Sequence, residues 1–221
     1  MKGNYTVYDQ LYAQIRAAGE PGWGGRERLA KEGLWLERLM GQSQVPQRGK
    51  VLELGCGEGH FTRLLCQKGY QVTGADVSAQ AIEWAETKAR SLGLQIDYFV
   101  ADLTQPESLA PHCYDLIVDG NCLHCIIDQD RSVFLGNVFQ ALRPGGVFFV
   151  SSLSAQGAET ELTYREELPY RQIVPKAVLE NELLSAGFVL LASQEYPGER
   201  HNHMTVHAFK PGEAALSALL R

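Results

Sequence analysis

The stretch ELGCGEG, residues 53–59, closes a short apolar strand, VLEL at 51–54, and opens a helix-period segment, FTRLLCQKG at 61–69. A strand that passes into a helix through three alternating glycines reads as a ligand loop. Gly55, Gly57 and Gly59 remove Cβ atoms where the chain must turn sharply and where a bound group approaches the backbone. A second acid, Asp76, stands 21 residues after Gly55 at the end of the next apolar strand, QVTGAD at 71–76. An acid at that spacing and at a strand end is placed to hold ribose hydroxyls. The loop is not a dinucleotide fingerprint, because His60 takes the place of the third glycine in GxGxxG. Nor is it a P-loop, for it lacks the Lys and Ser/Thr that hold phosphates and Mg²⁺.

Outward from this loop, apolar runs alternate with helix-period segments, which predicts a mainly parallel sheet covered on both faces. Ser78 is placed to cap a helix carrying Ala81, Ile82, Ala85 and Ala89, with Gly93 as its stop. Asp130 is expected to cap another, with Phe134, Val138, Ala141 and Leu142 on its buried side and Pro144-Gly145-Gly146 at its end. Pro175 opens a third in its first turn, with Gly187 after it. The last two strands read FVLLASQE at 188–195 and HMTVHAF at 203–209.

With 221 residues, 45% of them hydrophobic, the chain can bury a full core and is expected to form one domain over 1–221. Within it, 1–46 reads as an N-terminal segment, 47–152 as a ligand-binding core, and 153–221 as a loop and the closing strands. A net charge of −6 without a Lys/Arg run disfavours nucleic acid, whose affinity rests largely on neutralised phosphates. No stretch approaches the ~20 apolar residues of a membrane span, and MKGNYTVYDQ lacks the apolar core of a signal peptide. These readings lead to the expectation of a cytoplasmic protein, monomer or homodimer. Five scattered cysteines argue for free thiols.

Five segments together resemble the motifs of the class I S-adenosylmethionine-dependent methyltransferases, in the family's order. ELGCGEG is similar to motif I. GADVS at 74–78 is similar to the segment that ends the second strand, VADL at 100–103 follows the strand-like IDYFV, and YDLIVDGNCLHCI at 114–126 leads on to LRPGGVFFVSS at 142–152. The resemblance covers residues 47–152 well and the remainder more loosely. It implies a Rossmann-like, doubly wound α/β fold with a mostly parallel seven-stranded sheet, an antiparallel last strand and an N-terminal helical lid. It also implies S-adenosyl-L-methionine as methyl donor, S-adenosyl-L-homocysteine as product, and a small-molecule acceptor with an O, N or S nucleophile.

Carried onto this chain, the family's donor contacts fall on Glu53, Gly55, Cys56, Gly57 and Gly59 for the methionine end, Asp76 with Val77 for the ribose, and Asp102 with Leu103 for the adenine. Asp119 and Asn121, just past a strand, would face donor and pocket, and Trp23 would lie in the lid near the donor. Pocket walls are expected from the N-terminal segment, the loop 119–128, the stretch 154–174 and the turn 196–202. His124 is the candidate general base, since imidazole titrates near neutrality, with Asp119 as the second candidate catalytic residue. The opposing reading has His124 as a core histidine satisfying a backbone group. Tyr164, Arg165, Tyr170 and Arg171 suit an acidic or polar acceptor, or are merely solvated. Cys122 and Cys125 form a single CxxC. That is half a structural zinc signature, so no metal is expected. The pair leaves open a thiol- or metalloid-directed methyltransferase, and a donor-binding module without catalysis is the reading from another class.

Overall fold

In the computed structural model, which describes residues 3–165 and 167–212, seven strands form one sheet in the order β3-β2-β1-β4-β5-β9-β8, and β6 and β7 form a separate hairpin. The strands are β1 Lys50–Leu54, β2 Gln71–Asp76, β3 Asp97–Val100, β4 Tyr114–Gly120, β5 Leu142–Ser154, β6 Glu161–Arg165, β7 Leu168–Ile173, β8 Val189–Tyr196 and β9 Asn202–Phe209. The helices are α1 Val7–Ala17, α2 Gly25–Met40, α3 His60–Gln67, α4 Ala79–Ser91, α5 Asp130–Ala141 and α6 Lys176–Ser185. β9 runs antiparallel to both β5 and β8, whereas β1 with β2, β2 with β3, and β4 with β5 are parallel. This is the expected Rossmann-like α/β architecture, with N-terminal helices added. The chain divides into two compact units with a boundary between Asp102 and Leu103. The ends of the two outer segments, 1–2 and 213–221, lie outside the described residues.

In the unit Tyr5–Asp102, β1 and β2 are apolar on both faces because helices cover both: Val51, Leu52 and Leu54 pair in register beside Val72 and Ala75, all buried. α4 starts as expected. The Ser78 hydroxyl accepts from Ala81 N at 3.1 Å, and Ala81, Ile82, Trp84, Ala85 and Ala89 form its buried stripe. α1 packs on that helix through Tyr12, which clusters with Ala81, Trp84, Ile15 and Trp23.

In the other unit, the core is built from Leu116, Ile117 and Val118 of β4, Val147 to Val150 of β5, and Met204, Val206 and Ala208 of β9. Helix α5 adds Phe134, Leu135 and Val138. Phe139, Phe148 and Phe188 stack with centroids 5.1 and 5.5 Å apart. Several local expectations shift: Pro175 is the cap of α6 and not in its first turn, and Leu142 opens β5 in place of extending α5. Gln129, not Asp130, occupies the cap position of α5. Asp130 stands instead in the first turn, where its charge still opposes the helix dipole. The stretch 154–174, read as a loop wall, contains the β6–β7 hairpin.

Candidate functional site

The glycine loop is held in a conformation that only glycine adopts readily. Gly55, Gly57 and Gly59 have φ of 61°, 55° and 75°. Cys56 N donates to Ala75 O at 3.0 Å, and Gly57 N donates to Asp76 Oδ2 at 2.9 Å, so the second strand's acid is bonded to the first strand's loop. Asp76 Oδ1 accepts from Ser78 N at 2.9 Å. Burial pushes the Asp76 carboxyl up to about 6, against the pull of these amide bonds. A buried carboxylate at a strand end, with glycine backbone beside it, fits a ribose whose hydroxyls would donate to it.

The loop glycines also record close approaches. A Cβ on Gly59 would stand 2.5 Å from Tyr98 Oη and 3.0 Å from Ala85 Cβ, so this third glycine lets α4 and β3 close on the loop. A Cβ on Gly57 would collide with the Tyr12 hydroxyl, which therefore lies directly over the loop. Tyr12 stacks 5.2 Å from Trp23, and Trp23 stands 5.9 Å from Tyr8. Trp23 thus belongs to the aromatic group of which Tyr12 is the member over the glycines.

Glu58 escaped sequence reasoning, though it lies inside the quoted motif. Its buried carboxylate pairs with Arg63 at 2.9 Å and Lys88 at 2.7 Å. Lys88 also donates to the Pro21 carbonyl, and a Cβ on Gly22 would stand 2.7 Å from Glu58 Oε1. One carboxylate thereby ties the loop to α3, α4 and the segment carrying Trp23. A like function falls to Asp9 of α1, whose Oδ1 accepts from Ser78 Oγ and Gln80 N, both at 2.9 Å. The N-terminal segment is fastened to the glycine loop and to the start of α4 by part-buried polar bonds as well as by aromatic packing. Glu53 is buried at the end of β1, Val77 lies between the two polar anchors Asp76 and Ser78, and Asp102 ends this unit one residue after Ala101 N donates to Asp76 O at 2.9 Å.

The remaining expected residues stand in the second unit. Leu103 is buried, and its carbonyl accepts from Asn137 Nδ2 at 2.9 Å. That amide also bonds Gln105 O, so Asn137 fixes the segment after Leu103. Asp119 is fully buried, and its Oδ1 accepts from Cys122 N at 2.7 Å and Leu123 N at 3.0 Å. It caps the 3-10 turn Leu123–Cys125. Burial pushes this carboxyl up to about 7, opposed by the same two bonds. His124, carried on that turn, is buried with Nδ1 at 3.4 Å from both Ser152 Oγ and Leu153 N.

Asn121 has a left-handed φ of 70°, uncommon without glycine, at the carboxyl end of β4. Its Oδ1 lies 3.3 Å from His203 Nε2, which is also 3.1 Å from Ser151 Oγ. The two rim histidines take different partners, His201 reaching Glu161 at 3.1 Å. The Asn121–His203–Ser151 group joins a loop, β5 and β9. Residues so far apart in sequence offered no signal beyond the parity of His203 on its strand. Cys122 and Cys125 are free thiols, as are the other three cysteines, and no group of three His, Cys, Asp or Glu among the described residues could hold a metal.

The fold is an α/β domain whose first strand ends in a glycine loop bonded to Asp76 of the second. The family model for a methyltransferase domain matches residues 51–146, which run from the glycine loop to the start of the fifth strand. Over those residues the chain is similar to a methyltransferase domain, and the relatives it matches are methyltransferases by name. A ubiquinone biosynthesis O-methyltransferase of Chelativorans sp. is 29% identical over 167 residues, 71% of this chain and 64% of that protein. Its counterpart from Idiomarina loihiensis is 32% identical over 106 residues, 48% of this chain and 42% of that one. This chain therefore spans less than two thirds of the length of either curated relative. Among solved structures, a Burkholderia thailandensis 1,6-didemethyltoxoflavin-N1-methyltransferase, with its substrate and S-adenosylhomocysteine bound, superposes with a TM-score of 0.74. It is 21% identical, and the match covers 93% of this chain and 88% of that one.

Proposed function

We propose that this protein transfers a methyl group from S-adenosyl-L-methionine to a small-molecule acceptor through an O, N or S nucleophile, leaving S-adenosyl-L-homocysteine. The observation that carries this reading is the buried Asp76 carboxylate, hydrogen-bonded to Gly57 N beneath the Tyr12 hydroxyl and raised to about 6 by burial. Hydroxyls donating to that carboxylate favour its ionised form. When bound, the sulfonium supplies an electrophilic methyl carbon.

Asp76 with Val77 would hold the ribose, Asp102 and Leu103 the adenine, and Glu53, Gly55, Cys56, Gly57 and Gly59 the methionine end. Trp23 and Tyr12 exclude water on the donor side and offer aromatic faces to a sulfonium. On the acceptor side, Asn121 orients the nucleophile and His124 takes its proton where one must be lost. Asp119 acts as a positioning residue, because it reaches the chemistry through the turn it caps. A single domain, cytoplasmic and acting as monomer or homodimer without nucleic acid, is the setting we propose. The acidic charge and the five free thiols support it.

The test is transfer of labelled methyl from S-adenosylmethionine to a metabolite panel, with calorimetry against S-adenosylhomocysteine. We expect nucleoside binding that Asp76→Ala weakens about 10-fold or more, from the ~1.5–3 kcal/mol carried by hydrogen bonds to a charged group. Binding without transfer to any acceptor would move the protein to a donor-binding module. Unchanged affinity in Asp76→Ala would remove the reading altogether.

A further inference from the structure

Arg131 and Arg171 of the second unit are treated very differently by their surroundings. Arg131 on α5 is saturated: its guanidinium meets Glu182 at 2.7 and 2.6 Å and donates to the carbonyls of Leu123 at 2.8 Å and Ile126 at 3.3 Å. That arginine is structural. Arg171 on β7 forms no ion pair among the described residues, and its Nε is buried with no hydrogen-bond partner. Directly opposite it on β6 is Thr163, whose Oγ1 is likewise buried with no partner.

Cross-strand partners in an antiparallel pair point to the same face. On β7 that face is shared by the buried Pro169 and Ile173, while on β6 it carries Glu161, exposed and bonded to His201, so the two orphaned atoms lie on the side that Pro169 and Ile173 bury. β7 lies against the 3-10 turn that carries His124, and the hairpin's end is tied to the exit of β5 by Ala155 N donating to Val174 O at 3.0 Å. The Tyr170 ring, 4.9 Å from the Arg171 Cζ, limits the guanidinium's freedom. The guanidinium also hydrogen-bonds the Tyr170 side chain, but its Nε–H and the Thr163 hydroxyl, both buried atoms able to donate, have no acceptor. A planar oxyanion matches the guanidinium fork best.

We propose that Arg171 and Thr163 form a carboxylate-binding subsite, so that the methyl acceptor is a small molecule bearing a carboxylate apart from its nucleophile. This rests on the methyltransferase reading for the word acceptor, but not for the binding it predicts. The subsite lies on a hairpin that the donor residues do not include, and it is testable without turnover.

Calorimetry on the full chain, with and without saturating S-adenosylhomocysteine, compares 4-hydroxyphenylacetate and 3,4-dihydroxycinnamate with their methyl esters, which keep the shape and lose the charge. We expect each acid to bind at least tenfold more tightly than its ester. Arg171→Gln should abolish the preference and Thr163→Val reduce it. Arg171→Lys, which keeps the charge but not the fork, should lose most of it. Melting temperature and S-adenosylhomocysteine affinity should stay at parent values in all three. Equal binding of acid and ester, no binding of either, or a preference surviving in both Arg171 variants overturns the subsite. Failure of S-adenosylhomocysteine to bind the parent protein overturns the methyltransferase reading instead, and the acid–ester comparison in its absence still decides the subsite.

Discussion

Gly57 carries two constraints that separate by mutation. Its φ of 55° is strained for any residue with a Cβ, at about 1–3 kcal/mol, and a Cβ would also strike the Tyr12 hydroxyl. Gly57→Ala should lower the melting temperature by about 2–4 °C per kcal/mol lost, and adding Tyr12→Phe should recover the steric part but not the backbone part. Asp76 gives the donor site a pH dependence. Its carboxyl is raised from 3.8 to about 6, and donating hydroxyls need it ionised. S-adenosylhomocysteine affinity should therefore fall as the pH drops through about 6, approaching about tenfold per unit. Asp76→Asn should be weaker at neutral pH and nearly flat across that range. For His124, replacement by Gln is expected to cost ~10²–10⁴-fold in rate for an acceptor that must lose a proton. Melting temperature and donor affinity should hold. A lower melting temperature with rate tracking folded protein would return His124 to the core.

Among the elements, α1 is bound to α4 by a relay in which Asp9 accepts from Ser78 Oγ and Gln80 N while Ser78 Oγ accepts from Ala81 N. Asp9 thus extends the helix cap from a neighbouring element. Asp9→Ala should cost about 1 kcal/mol, within the range for lost N-caps, and should speed hydrogen exchange of the Gln80 amide more than that of β1. Equal loss of protection throughout would mean α1 is integral to the unit's global stability. The strands of the main sheet and the start of α4 were legible because period and caps are local signals. The β6–β7 hairpin was not. Its strands are short, partly exposed and interrupted by Pro169 and a register shift between Thr163 and Tyr164, so neither alternation nor apolar content marks them.

For the whole molecule, the two raised carboxyls set the sign of stability against pH. Asp76 at about 6 and Asp119 at about 7 bind protons more tightly folded than unfolded. Their contribution is complete below about pH 4 and is lost as the pH rises through 6 to 7. Asp119→Asn, whose amide oxygen can still accept from Cys122 and Leu123, should therefore gain on the parent in melting temperature as the pH rises from 4 to 8. A constant offset would place the titration elsewhere. S-adenosylhomocysteine at 100 times its Kd should stabilise the protein by about 2.7 kcal/mol, visible as a rise of about 5–11 °C.

The sequence by itself determined the succession of core strands and helices along the chain, the glycine loop and the acid at position 76, because each is written in a few adjacent residues under strict backbone constraints. Tertiary structure alone decided what those residues meet. Glu58 becomes an ionic hub only because Arg63, Lys88 and Pro21 converge on it. Asp119 becomes a cap because the chain after β4 doubles back onto its carboxylate. Arg171 Nε and Thr163 Oγ1 become a pair of unmet donors only when a hairpin, invisible in local propensity, sets the two residues side by side and takes those atoms out of solvent. Periodicity reports which face is buried, while hydrogen-bond partners are set by distances between residues far apart in the chain, and those the fold alone supplies.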